Sequence, residues 1–173
     1  MSKVQLPEMK LVGITARTNN ANECNVESGK IGPCVQSYFQ NALMTKLSHR
    51  TKPGTTLCAY TNYESDWTGD YTFFIGEEVS SFDDLAEGLE THTIAPQVYT
   101  KFTTEPGQMP NVCIQEWIKI WQMTPEEIGG ERRYSTDFEV YDERAADPQN
   151  AVLDIYVSYA QKLCLESSGD SLI

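Results

Sequence analysis

The chain presents one order of elements twice, and that repetition limits the folds open to it more than any single motif does. In the first half, Lys10 to Arg17 alternates with the period of a strand. A polar loop rich in Asn and Glu runs through Ser28, and Gly32-Pro33 then places a proline where a first helical turn tolerates one. Val35, Phe39, Leu43 and Leu47 recur every four residues, with Tyr38 and Ala42 beside them, which predicts one buried helical stripe. Turns at Pro53-Gly54 and Thr68-Gly69 precede two strands, TLCAYTNY and DYTFFIGEEV. The second half opens with a strand, THTIAPQVYTKF, interrupted at Ala95-Pro96. Pro110 then starts a helix with Cys113, Ile114, Trp117, Ile118 and Trp121 at amphipathic spacing. A charged loop from Glu126 to Arg133 leads to TDFEVYDE, a turn at Asp147-Pro148 and a last strand, AVLDIYVSYA. Between the halves SSFDDLAEGLE, residues 80 to 90, reads as a linker.

Such a duplication predicts a single α+β domain over residues 1–160, made of two fused strand-helix-strand-strand modules. Module one covers about residues 9 to 80, module two about 91 to 160, and residues 161–173 form a C-terminal tail. With 173 residues and 40% hydrophobic content the chain can bury a core of this kind. Its 13 basic against 25 acidic residues give a formal charge of −12, which opposes a nucleic-acid backbone and suits cationic or neutral partners. No apolar run approaches the roughly 20 residues of a membrane span, and MSKVQLPEMK lacks the apolar core of a signal peptide, so a soluble cytoplasmic protein is expected. The five cysteines are scattered without a CxxC spacing and read as reduced thiols, with neither a metal site nor a cofactor implied.

Alternation in TDFEVYDE puts Phe138 and Val140 on one face, and Glu139 with Tyr141 on the other. If a helix covers one face of each module, the apolar side is expected beneath it. The uncovered faces of two antiparallel sheets related by an approximate twofold would then meet around a central cleft, a favoured place for a small ligand. Glu139 and Tyr141 would line it with Thr61 and Tyr63, and parity on the last strands adds Phe74, Asp154 and Tyr156. Trp117 and Trp121 stand four apart on one helix face; core packing is the ordinary reading, with one of them reaching the cleft as the alternative.

These stretches carry a resemblance. IGPCVQSYF, YTNYESD with YTFFIGEEV, the helix EWIKIW and the block DFEVYDERAADPQNAVLDIYV together resemble the GyrI-like family of small-molecule-binding domains, over roughly residues 9 to 160. That family includes the effector-binding domains of AraC-type and MerR-type transcription activators and stand-alone relatives of the gyrase inhibitor. The resemblance implies two such modules around a cleft in which a buried glutamate receives lipophilic cations, and Glu139 falls at the matching position, with Trp117 on the helix pattern. Ligand-binding residues are thus expected to be Glu139, Tyr141, Trp117, Tyr63, Phe74, Tyr156 and Trp121. The sequence contains no helix-turn-helix, so a regulatory role would be exercised by a free-standing sensor or through a protein partner. Two other functions remain open. Some GyrI-like proteins hydrolyse small electrophilic cyclopropane-bearing compounds with a cleft glutamate and a tyrosine, a role open to Glu139 with Tyr63, Tyr141 or Tyr156. The acidic surface would also suit an interaction module such as a gyrase inhibitor.

Overall fold

A computed structural model describes residues 1–160; the expected tail, 161–173, lies outside the described residues. In chain order the elements are β1 (Ser2–Leu6), β2 (Met9–Thr18), α1 (Asn20–Glu23), α2 (Ile31–Gln40), β3 (Thr56–Thr61), β4 (Tyr71–Val79), β5 (Glu90–Ile94) and β6 (Gln97–Thr103). They continue with α3 (Asn111–Gln122), α4 (Pro125–Ile128), β7 (Glu131–Arg132), β8 (Thr136–Tyr141) and β9 (Asp154–Ala160). The strands form one antiparallel sheet in the order β1-β6-β9-β8-β3-β4-β2-β5, with β7 on β9.

Two hairpins, β3–β4 and β8–β9, meet through their first strands, in register from Thr56↔Tyr141 to Thr61↔Thr136. The two sheets expected to face one another are therefore corrected to one continuous sheet. Joining edge to edge pairs the backbone N–H and C=O groups of two strands that would otherwise be exposed edges. The stretch read as one interrupted strand also divides. At Ala95-Pro96 the chain leaves β5, which pairs with β2, and enters β6, which pairs with β1 and β9. Between β2 and β4, Gly13 stands opposite Gly76, and a Cβ on either would overlap the backbone of the other strand.

Helix α3 keeps part of its expected stripe: Cys113 and Trp117 are buried and Trp121 is partly buried, whereas Ile114 and Ile118 face outward and Ile120, outside the expected set, is buried. Helix α2 departs from its expectation. It ends at Gln40, Ala42 turns left-handed at φ 46°, and the buried positions are Cys34 and Tyr38, with Phe39 half exposed. A strict four-residue repeat drifts around a 3.6-residue helix, so Val35, Phe39, Leu43 and Leu47 do not hold one face.

Both long helices lie on the same side of the sheet. Cys34 and Tyr38 of α2 pack with Cys58, Tyr71, Phe73 and Ile75, while Cys113, Trp117 and Ile120 of α3 pack with Phe102, Ile155, Val157 and Tyr159. The face without helices closes by curvature. His92 on β5 reaches Thr136 on β8 at 3.3 Å although β2, β4 and β3 stand between them in the sheet. Leu11, Phe74, Ile94, Tyr99 and Phe138 are buried together on that concave side. This corrects the expectation that Phe138 and Val140 pack beneath a helix. The split into two faces is as predicted, but the helices cover the one that bears Glu139.

Burial lowers the pKa of His92, whose ring lies against Phe74 at 6.0 Å. A depressed histidine favours the neutral form in the fold, so its contribution is present above the unfolded value near 6.5 and is lost as pH falls through the lower folded value. Urea unfolding between pH 7 and pH 5 should show stability declining on the acid side, and less steeply in His92→Gln; identical slopes would remove His92 as a contributor.

Candidate functional site

Glu139 points from the middle of the sheet into the layer beneath the helices and is 2% exposed. Four donors converge on it. Oε1 accepts from the Tyr60 hydroxyl at 2.8 Å, from Trp117 Nε1 at 2.6 Å and from the Cys113 thiol at 3.2 Å, and Oε2 accepts from the Tyr141 hydroxyl at 2.7 Å. Each donor has a local cause. Cys113 and Trp117 are one helical turn apart on α3, so both side chains descend on the same spot. Register between β3 and β8 sets Cys58 opposite Glu139, which brings Tyr60, two residues on, to the same face. Tyr141 stands two residues along β8 itself.

Tyr60 and Tyr141 pack against the clusters beneath both helices, so the carboxylate lies at the junction of the two halves. Burial first, and the adjacent Glu139 second, push both phenols well above the ordinary tyrosine range, which keeps them as donors. The Cys113 thiol is raised for the same two reasons. Around this centre the rings are continuous. Tyr60 meets Trp117 edge-on at 5.3 Å and contacts Tyr71 and Phe73 at 5.6 and 5.7 Å. Trp117 leads to Trp121 at 6.3 Å, and Trp121 stacks on Trp67 of the β3–β4 loop at 5.2 Å and 11°. Both Trp67 and Trp121 are partly exposed, so the indoles form a column from the surface to Glu139.

A second acid, Asp137, lies two residues before Glu139 and is fully buried. Its Oδ1 accepts from the backbone and hydroxyl of Ser158 at 2.7 and 2.8 Å, and its Oδ2 accepts from Arg132 and, at 3.2 Å, from the Tyr63 hydroxyl. Arg132 stacks over Tyr134 at 4.4 Å. Both oxygens of Asp137 accept from groups that also fix β7, β8 and β9, which marks it as structural.

Of the residues expected in the site, Glu139, Tyr141 and Trp117 are in direct contact, and Trp121 adjoins them through Trp117. Tyr63 stands one position away, on Asp137. It reaches the helix side because Asn62 adopts φ 50° and breaks the alternation after β3. Phe74 and Tyr156 are corrected. They align with Ala59 and Phe138 in the register and lie on the concave face, across the sheet from Glu139. Thr61 pairs with Thr136 and Asp154 with Val140, so these too lie on that opposite face. Tyr60 was missed because the choice between Tyr60 and Thr61 depends on the β3–β8 register. Cys113 was visible as a helix position but not as a partner of the acid. Among the described residues no helix is long and apolar enough to cross a membrane, and no three His, Cys, Asp or Glu side chains gather as a metal set.

This curled antiparallel sheet, with two helices closing over a buried carboxylate, belongs to an effector-binding domain. The chain belongs to the Cass2 family of integron-associated effector binding proteins, which matches residues 4–158. It is 30% identical over 150 residues, 86% of this chain and 91% of the relative, to YobU of Bacillus subtilis (strain 168), whose name marks it as a candidate transcriptional regulator. Among solved structures it is similar to integron cassette protein VCH_CASS2 from the mobile metagenome of Vibrio cholerae (TM-score 0.73, 25% identity, 92% of this chain and 95% of that one). The fold is shared with SAV2435 bound to tetraphenylphosphonium (TM-score 0.74, 18% identity, 92% and 93% covered) and with the EcmrR C-terminal domain (0.58, 12%, 93% and 97%).

Proposed function

We propose that this chain binds small lipophilic cations at the junction of its two halves, with Glu139 as the charge anchor and Tyr60, Tyr141, Trp117 and Trp121 as the aromatic walls. The observation that carries this reading is a carboxylate 2% exposed, held by side-chain donors alone, at the foot of an indole column that reaches the surface. A cation at about 4 Å gains about 4 kcal/mol from the carboxylate at an effective dielectric near 20, less the cost of desolvating both charges. Each ring face it meets adds about 0.5 to 2 kcal/mol, and burial of its apolar body adds about 25 cal/mol per Å². Few of these contributions are directional, so the site tolerates varied shapes. Trp117 and Cys113 cap the acid, and a ligand reaches Glu139 by displacing them. The strand order, in which β8-β9-β6-β1 runs outward from the junction as β3-β4-β2-β5 does on the other side, supports two related modules. In the cell the domain would act as a cytoplasmic sensor or sequestering protein, or through a protein partner.

Titration with tetraphenylphosphonium, followed by indole fluorescence, tests this. Saturable quenching is expected, whereas tetraphenylborate, alike in shape and opposite in charge, should bind at least about tenfold more weakly. Equal affinity for the two ions would refute the charge anchor. The same carboxylate beside two protonated phenols is also the arrangement a hydrolase needs. Product beyond one equivalent from an electrophilic cyclopropane compound would favour that reading over binding alone.

A further inference from the structure

We propose that the concave face carries a second binding site, separate from Glu139, for a compact uncharged aromatic or alicyclic molecule of about one ring. A cavity of about 150 Å³ opens there. Its walls are Leu57, Phe138, Val140 and Tyr156 of the sheet, closed by Leu6 and Met9 from the N-terminal strands. Its volume matches that of an apolar void that takes a benzene-sized guest, and the pocket is open to solvent on the side lined by Lys52, Thr55 and Glu78. The hollow between β2 and the loop around residues 81–89, about 10 Å³, holds no more than a water. Phe138 and Tyr156 are stacked at 4.6 Å and 8°, which makes a flat aromatic wall of the kind a ring packs against.

Charge at the mouth selects the class. Lys52 and Glu78 line one side with opposite signs, and neither is in an ion pair among the described residues. Together they are neutral, so this pair favours neither a cation nor an anion, in contrast to the single carboxylate on the other face. Phe138 and Val140 alternate with Glu139 along β8, which places the two sites back to back across one strand. Occupancy of one therefore does not require the other, and this inference does not depend on the cation reading.

Methyl NMR of the full chain, titrated with toluene, benzoate and benzylammonium, decides the matter. Toluene should give saturable shifts centred on the Met9, Leu57 and Val140 methyls, with both charged analogues about tenfold weaker because their charges must be desolvated. Val140→Phe, which fills the cavity, and Thr55→Trp, which blocks its mouth, should each weaken toluene about tenfold. Glu139→Gln should leave toluene unchanged. Absence of saturation, shifts centred on Trp117 and Tyr141, or undiminished binding in either folded variant would overturn the proposal. If both variants fail to fold, the pattern of shifts in the unmodified protein decides it.

Discussion

Asp137→Ala should destabilise the protein by roughly 3 to 5 kcal/mol, the cost of leaving a buried ionic partner uncompensated. Asp137 is fully buried and its Arg132 partner only 8% exposed by side chain, so water is poorly placed to replace the lost bonds. Nε and Nη1 of Arg132 already lack partners among the described residues, and removing Asp137 takes away the acceptor of Nη2 as well. The backbone N–H of Ser158 would be orphaned in the middle of β9. Denaturation in urea measures the loss directly. A second comparison separates ion pairing from packing. The double replacement Asp137→Leu with Arg132→Met removes both charges together and should recover part of the loss, since an apolar pair of similar volume often matches a buried ion pair. A cost below about 1 kcal/mol for Asp137→Ala would mean that this centre does not hold β7, β8 and β9 together.

Much of this fold is visible in local pattern. Alternation located β2, β3, β4, β8 and β9, and the turn residues between them marked their ends, because strand period and turn chemistry are properties of a few neighbouring residues. The core of the α3 stripe was equally plain, with Cys113 and Trp117 one turn apart, though Ile114 and Ile118, counted with it, face outward. Less local information was missing. Whether the two hairpins pair by their edges or face each other depends on contacts such as Cys58↔Glu139, separated by 81 positions, and no short-range signal encodes that register.

The error over which face the helices cover has a specific physical origin. The sequence places an acid and a phenol on the uncovered face, lining a cleft between the modules, because the apolar side of each sheet is expected beneath its helix. Here the burial of Glu139 is offset by Tyr60, Tyr141, Trp117 and Cys113, which come from three different elements and could not be seen to converge from the sequence. Phe138 and Phe74 needed no helix, because curvature folds the apolar face onto itself. Tyr63 shows the opposite case. Simple alternation would put it with Thr61, yet one left-handed residue, Asn62, turns it back toward Asp137.

Glu139→Gln should weaken tetraphenylphosphonium binding at least about tenfold while leaving the fold intact. Glutamine keeps the length of the side chain, and its carbonyl can still accept from Tyr60 and Trp117, while its amide can donate to the Tyr141 hydroxyl that formerly donated to Oε2. Stability should change little. Removing the charge relieves its desolvation, and the bonds that replace the charge-assisted ones are weaker, so the two effects oppose each other. Binding has no such cancellation, because the cation's attraction of about 4 kcal/mol at about 4 Å and an effective dielectric near 20 disappears, less the desolvation no longer required. The ratio of affinities for tetraphenylphosphonium and tetraphenylborate is the sharper readout, since any slackening of the aromatic walls affects two ions of one shape alike. In the unmodified protein that ratio should favour the cation strongly, and in Glu139→Gln it should fall toward unity. The preference should survive added salt in the unmodified protein, because a carboxylate 2% exposed is screened far less than a surface charge. A ratio unchanged by the substitution would place the selectivity elsewhere on this acidic chain and remove Glu139 from the site.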